Sequence, residues 1–245
     1  MLSSCNSDCA SPSFANTKKT AGIHQYKQVI AIPLPEGFQR VTMDPGSFTG
    51  YLRNIGLKEN TTVYLYNGKP KQNQTAQYAV LNISTGNKDL QQCADAVMRL
   101  RAEYLYEKKH FDQIIFYDNN KTAYPFLAPY TQNHFTKYLD RVFGMCGSAS
   151  LSKQLKPVGN FFNIKPGDVI IRGGFPGHAV IVMDVAVNVY GERIYLLAQS
   201  YMPAQDMHVL KNPVNINLSP WYQVNEDPDI KTPEYSFIKN ELKRW

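Results

Sequence analysis

Apolar and polar positions along the chain follow two different periods. Between Asp89 and Tyr104, residues Cys93, Ala96, Val97, Leu100 and Tyr104 recur at helical spacing, while Asp95, Arg99, Arg101 and Glu103 fall mostly elsewhere. This is the pattern of an amphipathic helix with one buried stripe. Asp89 followed three residues later by Gln92 has the form of a capping box, which predicts a helix start there and puts Cys93 in the first turn. From Lys165 to Val185 the period changes. Lys165-Pro166-Gly167-Asp168 signals a turn, Val169 to Arg172 a short strand, Gly173 to Gly177 a Gly-rich turn, and His178 to Val185 a long strand. Arg193 to Ala198 returns as a further strand and ends at Gln199.

The other elements follow in the same way. Gln28 to Ile32 reads as a short apolar strand turned by Pro33-Leu34-Pro35 toward Phe38 to Val41. Ser47 is placed to cap a short helix over Phe48 to Ile55. Thr61 to Tyr66 alternates like a strand, ends at Asn67-Gly68, and predicts a hairpin with Tyr78 to Ile83. Phe111 to Tyr117 predicts a strand and Phe135 to Phe143 a helix. Beyond Tyr201, repeated prolines bar regular ladders and predict an extended strap in which Trp221 and Tyr222 are packing residues. The segment from Thr232 to Trp245 reads equally as a short strand or a capped helix.

A thiol near the positive end of a helix dipole is expected to favour the thiolate; the alternative for Cys93 is a buried structural Cys on the apolar face. His178 stands at the mouth of a strand, where its ring can reach a neighbouring element. Cys93, His178 and Gln199 therefore suggest a nucleophile, a general base and a group that orients the base. Gln91 and Gln92 are candidate side-chain helpers at an oxyanion site, beside the free N–H groups of the helix start. The strand register sets a condition. A tight turn at Val189 to Glu192 would put Gln199 opposite Val182 and several ångströms from His178. A bulge or a longer loop brings the two together, and a loop starting near Ala186 is expected. With a tight turn, Asp184, Asp206 and His208 compete as orienting groups. Ser148 and Ser150 lack a G-x-S-x-G elbow and read as caps. No paired short spacing joins Cys93, His178 and His208 into a metal site, and Gly173 to Gly177 lacks the Lys-Ser/Thr and the helix of a phosphate loop. No metal and no cofactor is expected.

A Cys at a helix start, Pro166-Gly167-Asp168 before a strand, Gly177-His178 opening the strand His178-Ala179-Val180-Ile181-Val182, and a polar residue on the next strand together resemble the NlpC-type and CHAP-type amidases of the papain-like cysteine peptidases. That resemblance implies an α+β fold, with the Cys helix packed on an antiparallel sheet and an insertion at about 110–162. Over nearly the whole chain, runs such as DLQQCADAVMRLRAEYLY, GDVIIRGGFPGHAVIVMDVA and LSPWY resemble the uncharacterised bacterial family called domain of unknown function 4846.

Composition narrows these readings. The chain has 245 residues with 43% apolar and 19% charged residues, enough for one well-buried core. Its net charge of +6 is spread out, with no basic-aromatic motif, so no nucleic-acid partner is expected. Of the 4 cysteines, Cys5 closes Leu2-Ser3-Ser4-Cys5, which has the form of a bacterial lipobox, a lipidation signal. The apolar region that should precede it is missing, so either the signal peptide is truncated, which is the expectation here, or the match is chance. Residues 1–20 then form a leader and tether, and 21–245 a single domain. The implied location is the bacterial cell envelope, periplasm or outer membrane, with Cys5 as the only membrane contact. The expected activity is a cysteine amidase or peptidase acting on peptidoglycan stem peptides or another peptide amide. An inactive binding module and an acyltransferase on the same scaffold are the alternatives. Cys9 reads as a tether residue, with a bridge to Cys146 as its alternative.

Overall fold

The long apolar run opened by His178 forms the centre of a mixed α+β structure in a computed structural model that describes residues 26–245. The Cys5 lipobox, Cys9 and the tether lie outside the described residues. In chain order the elements are β1 (Phe38–Arg40), α1 (Phe48–Asn54), β2 (Gln77–Val80), α2 (Cys93–Glu107), β3 (Ile115–Tyr117), β4 (Ala123–Pro125), α3 (Gln132–Met145), α4 (Ser148–Gln154), β5 (Lys156–Pro157), β6 (Val169–Arg172), β7 (His178–Asn188), β8 (Arg193–Gln199), β9 (His208–Leu210), β10 (Tyr222–Gln223), β11 (Asp229–Lys231), β12 (Ser236–Ile238) and β13 (Leu242–Arg244). The main sheet runs β2-β9-β8-β7-β6-β13-β5, with β1 added to β7 and β10 to β8, and every pairing in it is antiparallel.

β7 carries few polar residues because both of its faces are covered. Ala179, Ile181 and Met183 join a core with α2 residues Val97 and Leu100, whereas Val180 and Val182 join a second core with Tyr195, Leu197 and Phe237. The helix that bears Cys93 thus packs on one face of the sheet. Trp221 is buried, and its indole N–H donates to the Pro33 carbonyl at 2.7 Å, as a packing residue should.

Several expected elements differ. Residues 29–31 form a 3₁₀ turn rather than a strand. Thr61 to Tyr66 makes only isolated bridges, and the hairpin expected with Tyr78 to Ile83 does not form, because β2 takes β9 as its partner. The loop expected near Ala186 is also absent: Ala186 pairs Ile194, Val187 pairs Arg193, and the chain reverses within 188–192, where the Asn188 N–H donates to the Glu192 carbonyl at 3.0 Å. This register is already one residue away from that of a tight turn at 189–192, and a bulge adds a second. Between Val182↔Leu197 and Asp184↔Leu196 the register shifts by one residue. Across it the faces change phase, so that Val185 joins the second core and Ala186 the first. Asp184 at this bulge is fully buried and accepts from Arg53 of α1 at 2.7 Å and from Arg40 of β1 at 2.6 Å. It is a structural anchor, not a competitor for His178. The last stretch, expected as strand or helix, supplies β12 and β13, and β13 pairs β6 in the main sheet.

Candidate active site

α2 begins at Cys93, three residues later than the sequence pattern predicts. Gln92 is the N-cap residue, and its backbone N–H donates to Asp95 Oδ2 at 3.0 Å. Asp89, the expected cap, instead accepts from the Ala204 backbone N–H at 2.7 Å and from Gln92 Nε2 at 3.1 Å, tying the helix entrance to the segment after β8. Cys93 is therefore the first helical residue, and the backbone N–H groups of Ala179, Ala94 and Cys93 lie against its sulfur. Those amides favour the thiolate, but burial of the sulfur and the nearby Asp95 carboxyl outweigh them and push the thiol up to about 11. The thiolate expected from the helix end alone is thus not the resting form. Asp95 is itself buried, which raises its carboxyl to about 8, and its Oδ1 has no hydrogen-bond partner.

His178, the first residue of β7, is supplied by a turn that has room only for glycine at the position before it. A Cβ on Gly177 would lie 2.9 Å from the Arg172 carbonyl oxygen and 2.5 Å from Ser148 Oγ. The imidazole is buried among Tyr201, Tyr235 and Phe237, with ring centroids 4.7, 5.0 and 5.8 Å away. Burial lowers it to about 4. Its Nε2 lies 2.8 Å from Gln199 Oε1, a contact made possible by the bulge, which moves Gln199 from the level of Ile181 to that of Val180.

The rest of the network fixes the chemistry of that contact. His208 Nδ1 donates to the Asp206 carbonyl at 2.9 Å, so its Nε2 is bare and faces Gln199 Nε2 at 3.4 Å. Gln199 Nε2 also donates to Glu234 Oε2 at 2.8 Å, and Glu234 accepts from Lys71 at 2.5 Å and Asn73 at 3.0 Å. With its NH₂ group engaged twice, Gln199 presents oxygen to His178. The ring accordingly carries its proton on Nε2 and leaves Nδ1 free to accept one.

Cys93 and His178 line one cleft of about 580 Å³. No thiol–imidazole hydrogen bond joins them, and the sulfur sits against the amide of the residue next to His178. Asn119 and residues 143–149, all within the segment expected as an insertion, line the same cleft, as do Gly174 to Gly177. The other candidates lie elsewhere or do other work. Gln91 is not part of the cleft lining: its side chain accepts from Arg99 and its backbone carbonyl from Ser200 Oγ. Gln92 lines the cleft with its amide turned to Asp89. The free donors at the sulfur are backbone groups of Cys93 and Ala94, not these glutamines. Asp206 is held by Lys58, Thr85 and the Tyr64 amide. His208 stands behind Gln199 and not beside His178. Ser150 closes onto Gly147 as a cap, and Ser148 lines the cleft. Cys93 and Cys146 are both free thiols, and Cys146 also lines the cleft.

No local pattern in the sequence marks Glu234, Lys71, Tyr201 or Tyr235 as neighbours of His178 and Gln199. Asp95 had a signal: Gln92 and Asp95 are spaced as an N-cap pair as well as Asp89 and Gln92 are. Among the described residues no group of His, Cys, Asp or Glu is arranged to hold a metal ion, and no helix is long and apolar enough to cross a membrane.

A family model described as domain of unknown function (4846) matches residues 29–128 and 119–244. No curated protein and no solved structure matches the chain.

Proposed function

The chain belongs to the domain of unknown function 4846 family, whose description names no activity, and we propose from the cleft itself that it is a cysteine hydrolase of peptide amides. The observation that carries this reading is the Nε2 contact of His178 with Gln199, which leaves Nδ1 bare on a ring that lines the same cleft as Cys93. A helix-borne Cys, a strand-borne His and a polar orienting residue resemble the papain-like peptidases of NlpC and CHAP type, and we assign the domain to that group. Attack breaks the Sγ–H bond, passes the proton to His178 Nδ1 and forms a C–S bond to the substrate carbonyl. The oxygen gathers negative charge near the backbone N–H groups of Cys93 and Ala94. Collapse breaks the C–N bond, and the amine leaves with the proton from Nδ1. Water, deprotonated by the same nitrogen, then releases the acid and restores the thiol.

With the cell-envelope location and the Cys5 lipid anchor expected from the leader, the substrate we assign is a peptidoglycan stem peptide. The neutral resting state of the thiol and the ring favours a second reading, a binding module on the same scaffold without turnover. Digestion of purified cell wall and of short peptide amides by wild type and Cys93→Ala decides between them, with added amines as acceptors to register acyl transfer. New amine ends that appear only with Cys93 support the hydrolase. In parallel, Cys93 alkylation should slow in His178→Ala while Cys146 is unaffected. Equal alkylation in both proteins, with no product from any substrate, overturns it.

A further inference from the structure

We propose that Glu234 is a positioning residue for the cysteine chemistry: held by Lys71 and Asn73, it decides which end of the Gln199 amide faces His178, and through it which ring nitrogen carries the proton. The inference rests on the hydrolase reading for its meaning, but the geometry stands on its own.

The two ends of an amide are nearly the same size and opposite in hydrogen-bonding sense. Turned one way, Gln199 accepts from the Nε2–H of His178 and leaves Nδ1 bare. Turned the other way, it donates to a bare Nε2 and forces the proton onto Nδ1, where it blocks acceptance from Cys93. The pair alone supplies no reason to prefer one arrangement. Two neighbours do. Glu234 Oε2 lies 2.8 Å from Gln199 Nε2 and can only accept from it as a carboxylate. His208 Nε2, bare because Nδ1 donates to the Asp206 carbonyl, accepts more weakly at 3.4 Å. Reversing the amide would set its oxygen against both acceptors inside a site where Gln199 and His208 are buried, leaving each of them unsatisfied. Lys71 at 2.5 Å and Asn73 at 3.0 Å hold the carboxylate in place, and the 8% exposure of Lys71 keeps water from replacing it. Glu234 comes from the connection between β11 and β12, 35 residues from Gln199, so the hairpin's position is what brings the carboxylate to the amide.

The test reads the tautomer directly. In the full chain at neutral pH, the ring ¹⁵N shifts of His178, assigned with His178→Ala, should show protonated Nε2 and bare Nδ1. A wild-type ring protonated on Nδ1 overturns the proposal without any Glu234 variant. Glu234→Ala combined with Lys71→Met removes the acceptor without stranding a buried cation, and should give a mixture of tautomers and Cys93 alkylation slower by about tenfold or more. Glu234→Gln combined with Lys71→Met keeps an oxygen in place and should restore the single tautomer and most of the rate. A merely structural role would leave the tautomer unchanged in both folded variants, and that result overturns the proposal. The tautomer pattern and its Glu234 dependence in a protein that cleaves no peptide amide would leave the positioning role standing and remove the hydrolase. Turnover with an unmoved tautomer would do the reverse.

Discussion

Asp184→Asn should be among the most damaging single substitutions in this protein, although it changes no apolar contact. Asp184 is 0% exposed and is the common counter-charge for Arg53, which is 2% exposed, and for Arg40. The substitution leaves two guanidinium groups sharing one neutral acceptor. Arg53 keeps the Val41 and Val185 carbonyls and Arg40 the Ile32 carbonyl, but neither keeps a compensating charge. Removing one partner from a buried ion pair costs about 3–5 kcal/mol, a large part of the 5–15 kcal/mol that typically separates folded from unfolded domains. Urea unfolding should show it as a midpoint lowered by about 1–2 M at an unchanged slope. Trp221 fluorescence is a suitable probe, because Arg40 lies 5.8 Å from the indole ring centroid. The same neutralisation at Asp206, whose partner Lys58 has a side chain 31% exposed, should cost less from the lost charge pair, since water can take over the lysine. Asp184→Leu with Arg40→Met and Arg53→Met should regain much of the loss, because no charge is then stranded. A loss under about 1 kcal/mol for Asp184→Asn would refute the reasoning, since it would mean the arginines are solvated where the structure buries them.

Two more outcomes follow from the site. Burial lowers His178 and His208 from 6.5 to about 4, so between those values the unfolded chain binds two protons that the folded one does not, while Asp95, raised from 3.8 to about 8, works in the opposite sense. The net one proton taken up on unfolding between pH 4 and 6.5 makes the stability from these groups fall by about 1.4 kcal/mol per pH unit toward pH 4, whereas above pH 6.5, where only Asp95 differs between the two states, it falls again toward pH 8; it is therefore greatest near pH 6.5, and a urea midpoint that stays flat from pH 4 to 6.5 would contradict it. Gly177→Ala should displace the β6–β7 turn, because its Cβ would meet the Gly174 and Arg172 carbonyls, and so should move the His178 ring signals; unchanged His178 shifts in the folded variant would refute this.

What the sequence makes legible is local or periodic. The α2 stripe, the β6 and β7 strands and the Ser47 cap with its Gly50 N–H bond at 3.3 Å all follow from patterns within a few residues, whereas the order Cys93, His178, Gln199 is suggested by a resemblance. What it hides are choices made by distant partners. Asp89/Gln92 and Gln92/Asp95 have the same spacing, and the Ala204 amide that occupies Asp89 lies 115 residues away. The β7 bulge has no local mark, because Arg40 and Arg53, which hold Asp184 there, come from 144 and 131 residues earlier. Thr61 to Tyr66 alternates correctly for a strand but is given no continuous neighbour, and a strand without a ladder is not a strand.

The thiol shows how such a contest is decided by magnitude. A helix N-terminus favours a negative group in its first turn by about 0.3–1 kcal/mol when exposed. Taking Cys93 from 9.0 to about 11 corresponds to about 3 kcal/mol in the other direction, so burial wins, and the backbone N–H groups at the helix end only limit the rise. His178 is moved the opposite way by the same cause. A neutral thiol and a neutral imidazole are therefore what burial in this cleft favours, and on the hydrolase reading we propose, the ion pair belongs to the reacting state, where the developing oxyanion and the backbone amides of Cys93 and Ala94 share the charge. On this account a substrate does more than fill the cleft. By bringing a carbonyl to the sulfur, it would supply the electrophile that lets the Cys93 proton move to Nδ1, so the proposed hydrolase would hold its reactivity until the cleft is occupied.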